Sequence, residues 1–270
     1  ILNEDADLRS AWREFLDNLA PLPTSDHPEA LKRNDYKGPP VFVRGLRPAV
    51  RAGSAFLPDA NSLPMWFFDL CCVETQDQKM LETASATFSA YFRDGAKDTT
   101  PVSVLSKLAI AAAAIGTAAA VRFLIPNQIR VLRRERETAY RGGGVLANRM
   151  TLREGPQALD AQRLGRAAEA LHLALLQSAP PHPGGGPIIR VFPSWPSEWD
   201  ASYTLLARGA FLVTSTIERG RIGFVELESQ AGAECRLRNP WGESEVTLYR
   251  DGKKSESLQG SLLRFPTRKG

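Results

Sequence analysis

The hydrophobic periodicity of this chain changes near residue 187, and that change constrains the fold more than any other feature. Up to Ser178 apolar residues recur at helical spacing, whereas after Pro187 they alternate with period two. The Pro- and Gly-rich segment "SAPPHPGGGP", residues 178–187, separates the two patterns. We therefore predict an α+β protein with two domains, a helical one over residues 1–180 and a small antiparallel β-sheet or sandwich over residues 187–270.

The helical half contains two well-marked segments. The stretch "DADLRSAWREFLDNLAPLP" predicts an amphipathic helix that begins at an N-cap, Asp5, and is ended by Pro21. After Pro101, the Ala-rich stretch 102–124 predicts one continuous helix, and so many alanines are typical of an inner helix in a packed array. The most apolar run, 108–121, is shorter than the roughly 20 residues of a membrane-spanning helix, so we expect a core helix and no membrane span.

The β half predicts five or six short strands. We expect tight turns at Arg219-Gly220 and Asp251-Gly252, because such dipeptides connect hairpin strands. This half is also rich in aromatic residues, namely Trp195, Trp199, Tyr203 and Trp241. Exposed aromatic rings would stack on sugars and buried ones would hold a helix-to-sheet interface; the interface interpretation is favoured.

Composition excludes several classes of function. The 34 basic residues outnumber the 30 acidic ones only slightly and are scattered, so no nucleic-acid partner is expected. Two of the three cysteines are adjacent and none forms a Cys-x-x-Cys pair, which indicates buried apolar residues. The three histidines are too dispersed for a metal site, and no phosphate or dinucleotide motif is present, so we expect neither metal nor cofactor.

Two carboxylates begin a predicted helix in "TLREGPQALDAQRLGRAAEALHLAL", residues 151–175. Pro156 fits the first helical position, which places Glu154 before the helix and Asp160 near its first turn. Asp160 continues an apolar stripe formed by Leu164, Ala168, Leu171 and Leu175. The positive end of the helix dipole would keep such a carboxylate ionised, as a general base requires. The alternative is that both acids only stabilise the helix N-terminus.

The order of these segments resembles the C-terminal portion of family 95 glycoside hydrolases. The motifs that carry the resemblance are "DADLRSAWREFLDNLAPLP", "PVSVLSKLAIAAAAIG", "NRMTLREGPQALDAQRLGRAAEALHLALLQS", "IIRVFPSWPSEWD" and "LLARGAFLV". The resemblance implies part of an (α/α)6 toroid followed by a β domain, in a secreted or periplasmic α-L-fucosidase-like enzyme that acts on oligo- or polysaccharides with inversion. Because the chain starts at Ile1 rather than Met and stops at "FPTRKG" after a strand-like run, we expect a fragment truncated at both ends. The resemblance implies that the general acid lies upstream of Ile1.

Two candidate site residues follow from the resemblance, in which Asp160 falls on the Asp that activates water in the family and Asn148 falls on the Asn of Asn-Leu-Phe. Asp160 is the candidate general base, with Glu154 as the fallback. Substrate-binding candidates are Asn148, Gln157, Trp66 and Arg153. The sequence departs from the family pattern after Asp160, where Gly-Asn is missing, and at "NSLPMWFFDLCC", where a histidine element is missing, so fucose is not carried over. These departures favour the alternative function, a non-catalytic glycan-binding or scaffold protein of the same fold.

Overall fold

The computed structural model describes residues 5–31, 37–43, 63–66, 70–91, 107–140 and 161–270, apart from the side chains of residues 6, 7, 31, 91, 130–140 and 161–164. Within these ranges the chain is a mixture of helices and small antiparallel sheets, as the predicted α+β class requires. The helices are α1 Ala6–Asp17, α2 Pro28–Leu31, α3 Leu63–Trp66, α4 Gln78–Tyr91, α5 Leu108–Ala114, α6 Ala118–Tyr140 and α7 Ala161–Leu175. The strands are β1 Leu176–Gln177, β2 Arg190–Val191, β3 Ala201–Ala207, β4 Phe211–Glu218, β5 Arg221–Ser229, β6 Cys235–Arg238, β7 Val246–Arg250, β8 Lys253–Leu258 and β9 Leu262–Phe265.

Helices α5, α6 and α7 form the centre of the helical part, where α5 is buried at all seven positions. The C-terminal ends of α5 and α7 meet at Ser194, whose hydroxyl donates to the carbonyl of Ala113 and whose backbone N–H donates to that of Ala174. The Gln177 side chain also donates to the Ala113 carbonyl, at 2.7 Å. Because α5 and α7 pack side by side with their C-terminal ends together, they run parallel, and α6 packs against both.

The Ala-rich segment is two helices, so the prediction of one continuous helix is wrong. Helix α5 ends at Ala114, and Gly116 two residues further on has φ +83°. The N–H of Gly116 donates to Ala113 and that of Thr117 donates to Ala112, the pattern of a Schellman cap. A Cβ on Gly116 would lie 2.8 Å from Cγ1 of Val73. The glycine therefore ends the helix and lets the chain turn tightly against the loop before α4.

The buried side of α7 also differs from the predicted stripe. Ala167, Ala170 and Ala174 are the buried positions, whereas Ala168 is exposed. Leu171 is half-buried and packs against the same core. The face is displaced because the small alanine side chains, spaced three and four apart, let α7 approach the alanines of α5 closely.

Helix α1 begins as predicted, with Asp5 at the N-cap position, although its side chain makes no capping hydrogen bond. The helix ends at Asp17, before the predicted Pro21. The predicted apolar face is exposed, and consists of Leu8, Trp12, Phe15, Leu16 and Leu19.

The β half folds into small antiparallel sheets. Strands β3, β4 and β5 form a three-stranded meander, and the other sheets pair β1 with β2, β6 with β9 and β7 with β8. Both predicted turns are confirmed, since Arg219-Gly220 and Asp251-Gly252 connect adjacent strands with all four residues at positive φ. Burial alternates along β4, as the period-two pattern predicts.

The helical and β parts each have an apolar core, and the half-buried Trp195 packs against both. Residues of the 178–187 segment contact the loop before α4, where the N–H of Gln76 donates to the Pro181 carbonyl at 2.9 Å. All three cysteines are buried and free, as predicted. None of the helices in the described ranges has the length and apolarity needed to cross a membrane.

Candidate functional site

Most of the predicted site residues lie outside the described part of the chain. Asn148, Arg153, Glu154, Gln157 and Asp160 all fall within residues 141–160, so their roles remain predictions. Helix α7 begins at the residue that directly follows Asp160.

Trp66 is the predicted site residue that the structure describes. It ends the short helix α3, is half-buried and packs against the helical core. The Nζ atom of Lys107 lies 5.2 Å from the centroid of its ring, which is within cation–π range. Lys107 directly precedes α5, so an aromatic surface with a positive charge lies at the N-terminal end of that helix.

The parallel packing of α5 and α7 places both N-termini at the same end of the helical part. Their C-terminal ends are level at Ala113 and Ala174, while α5 has 7 residues and α7 has 15. At about 1.5 Å per residue, α7 therefore extends roughly 12 Å further toward this end than α5 does. The N-terminal ends of both helices carry positive partial charge, which favours carboxylates and other electron-rich groups there.

A second group of polar residues, which the sequence analysis missed, lies on the β half. Along β6, Cys235 and Leu237 are buried in the β core, and Arg236 and Arg238 alternate with them on the opposite face. On the paired strand β9, the exposed Arg264 is directly opposite Arg236.

Arg190 on β2 belongs to the same face. Its neighbour Ile189 forms a parallel bridge with Leu237, and both of those side chains are in the β core. The next residues along the two strands, Arg190 and Arg238, both contact the carboxylate of Glu74. We refer to Arg190, Arg236, Arg238 and Arg264 as the arginine face.

Glu74 links this face to the helical part. Its Oε2 lies 2.8 Å from Nε of Arg190, and its Oε1 contacts Nε of Arg238. The Arg190 side chain is only 3% exposed and also donates from Nη1 to the carbonyls of Ala179 and Ile188, at 2.9 and 3.0 Å. The loop before α4 and the β domain are therefore joined by an ion pair whose arginine, Arg190, is buried.

The outer part of the arginine face is open to solvent. Nε of Arg236 lies 3.0 Å from Oε1 of Glu234, and the Arg236 side chain is 37% exposed. A Cβ on Gly186 would lie 2.6 Å from Nη1 of Arg236, so the chain passes close to this guanidinium. No residue in the described ranges pairs with the guanidinium of Arg264.

The sequence does contain a signal for this face. In "IIRVF" and "CRLRN", arginine occupies the outward positions of strands whose other positions are apolar. The counterion, Glu74, lies more than a hundred residues away in the sequence, so no local pattern connects it with Arg190.

Most of the aromatic residues in the β half pack inside the protein, which agrees with the interface interpretation favoured from the sequence. Trp195 lies between the two cores, donates from Nε1 to the Trp199 carbonyl at 2.9 Å and meets the Trp199 ring edge-on. Tyr203 is buried edge-on against Phe192, and burial raises the pKa of its hydroxyl. Trp241 is 37% exposed and donates to the Ile222 carbonyl on the edge strand β5.

Burial shifts the pKa of three further groups in the described ranges. Burial raises the pKa of the Cys71 and Cys235 thiols to about 12, which keeps both protonated and unreactive. Burial lowers the pKa of His172 near the end of α7. Within the part of the chain that the structure describes, no group of three or more His, Cys, Asp or Glu residues is placed to hold a metal ion.

The chain matches no model of a known protein family and no curated protein.

Proposed function

We propose that the chain is the C-terminal part of a glycoside hydrolase with an (α/α)6 toroid, which hydrolyses glycosidic bonds of an oligo- or polysaccharide with inversion. The parallel packing of α5 and α7 is the single observation that carries this proposal. In a toroid of helical hairpins, neighbouring inner helices run parallel and the helices between them return in the opposite direction. The pairing of α5 with α7, with α6 in contact with both, is consistent with that arrangement.

The same packing supports a site at the N-terminal ends of these helices. Trp66 and Lys107 lie at the start of α5, and Asp160 directly precedes α7 in the sequence. An indole face packs well against the apolar side of a sugar ring, and an ammonium group donates to its hydroxyls. We propose that Trp66 and Lys107 bind a sugar and that Asp160 acts at the neighbouring position.

An inverting hydrolase needs two carboxyl groups roughly 6.5–9.5 Å apart. One protonates the departing glycosidic oxygen while the other removes a proton from the water that attacks the anomeric carbon. In this proposal Asp160 is the base, because the dipole of α7 favours its ionised form. Asn148 and Gln157 orient the water or the sugar, and Arg153 contacts the substrate. Glu154 is the alternative base if Asp160 does not fill that role. The general acid lies upstream of Ile1.

The test measures turnover of a panel of aryl glycosides and polysaccharides by the whole protein. Asp160→Asn should reduce turnover by about 10² to 10⁴, the usual contribution of a general base. The matched control is Asp251→Asn in the exposed β7–β8 turn, since asparagine tolerates the left-handed backbone there. If both variants keep wild-type turnover, Asp160 is not the general base. If the wild type binds glycans but hydrolyses none, the result favours a non-catalytic glycan-binding protein.

A further inference from the structure

We propose that the arginine face binds the carboxylates of an acidic glycan, so that the substrate class is a uronic-acid-containing polysaccharide. The inference rests on the proposed function for the sugar part of the ligand. Its acidic part rests on the charges and geometry of the β domain alone.

The charges of this face are unbalanced. Four guanidinium groups face two carboxylates, Glu74 and Glu234, in the described part of the chain. Arg236 and Arg264 are directly opposite each other on β6 and β9. Like charges at such cross-strand positions destabilise a sheet, and an anion bound between them would remove this cost.

The face has a fixed inner part and an accessible outer part. Arg190 is buried and held by Glu74 and two backbone carbonyls, so it is part of the structural junction. Arg236 and Arg264 are accessible, and the guanidinium of Arg236 lies against the backbone at Gly186. Guanidinium groups bind carboxylates through two parallel hydrogen bonds, so these two arginines fit carboxyl groups of a chain lying across β6 and β9.

The outward positions of the two strands favour an acidic glycan over a nucleic acid. These positions are Arg236, Arg238, Leu262 and Arg264, and none is aromatic. Single-stranded nucleic acids are held by aromatic rings on which bases stack as well as by positive charge. A neutral glycan would leave uncompensated the charge of Arg264, which pairs with no residue in the described ranges.

The experiment measures binding of oligogalacturonate to the 270-residue chain by calorimetry. The same oligosaccharide with methyl-esterified carboxyl groups is the ligand control, and inorganic phosphate is the competitor. We expect the free acid to bind, with an affinity that falls as salt rises, and the ester not to bind. Equal binding of acid and ester, or complete displacement by phosphate at equal concentration, would overturn the proposal.

Variants locate the site. Arg264→Gln should raise Kd about fivefold, as expected for loss of one accessible ion pair, and Arg264→Lys should recover only part of the affinity. Arg236→Gln should give a similar loss, while the control Arg221→Gln at the exposed start of β5 should leave Kd within about twofold. Unchanged affinity in both Arg264→Gln and Arg236→Gln would place the ligand elsewhere and refute the inference.

This test is independent of hydrolysis. Calorimetry measures binding of oligogalacturonate without any turnover, and the variants Arg264→Gln and Arg236→Gln change only residues of the arginine face. Failure of the glycosidase proposal would leave this binding intact, whereas failure of the acidic-ligand proposal would leave turnover of neutral substrates intact.

Discussion

Replacing Glu74 by glutamine removes the negative charge that joins the helical part to the β domain. Arg190, whose side chain is 3% exposed, would keep its positive charge without the counterion that lies 2.8 Å away. Breaking a fully buried ion pair costs about 3–5 kcal/mol. Because the Glu74 side chain is 21% exposed, we expect the lower value of about 2–3 kcal/mol. Arg238, at 35% exposure, adds no more than about 1 kcal/mol.

The free energy of unfolding is measured by urea titration, followed by tryptophan fluorescence, with Tm as a second readout. The total loss of about 2–4 kcal/mol corresponds to a fall in Tm of roughly 5–15 °C for a chain of this size. The control is Glu228→Gln on β5, where the carboxylate is exposed, and it should change stability by less than about 0.5 kcal/mol. A double-mutant cycle with Arg190→Met should show a coupling of about 1–3 kcal/mol. A loss no larger than that of the control, or no coupling, would refute the ion pair as the junction.

Three further predictions concern the described core. Gly116→Ala should lower the free energy of unfolding by about 1–3 kcal/mol, because φ is +83° and the new Cβ would lie 2.8 Å from Val73. The matched variant Gly165→Ala, with nothing within 4 Å of its new Cβ, should stabilise α7 by about 0.5–1 kcal/mol. Equal effects of the two variants in urea titration would show that the cap assignment is wrong. Burial lowers the pKa of His172, so the stability that the neutral imidazole contributes is present above its unfolded pKa of 6.5 and is lost as the pH falls. His172→Gln should therefore flatten the pH dependence of Tm below pH 6.5. A pH profile of Tm identical to that of the wild type would contradict this prediction. Cys71 and Cys235, with pKa values of about 12, should resist alkylation in the native chain at pH 8 and react in urea, and rapid native modification would contradict their burial.

Local patterns predicted much of the fold. The period-two segments became strands, and the two glycine-containing turns join them as expected, because turn chemistry acts between neighbouring residues. The break at Gly116 was missed because alanines on both sides favour helix, and the reason for the glycine is the approach of Val73 from a distant part of the sequence. The buried side of α7 was misassigned for a similar reason, since packing against α5 selects alanines over larger residues.

The two parts of the site differ in how far the sequence reveals them. Trp66 was predicted as a substrate-binding residue, and its pairing with Lys107 depends on the approach of α3 to the start of α5. The arginine face was not predicted, because its period-two arginines resemble ordinary solvent-facing positions of a strand. Only the tertiary pairing of β6 with β9 and β2, and the approach of Glu74, distinguish it.

The role of Asp160 in the whole protein is tested most directly by chemical rescue. In Asp160→Ala, azide should attack the anomeric carbon without needing a base. We predict that turnover falls by about 10² to 10⁴, that azide restores it and that the product is a glycosyl azide of inverted configuration. Wild-type turnover by Asp160→Ala without azide, or a first-formed product that retains the substrate's anomeric configuration, would contradict the proposed function.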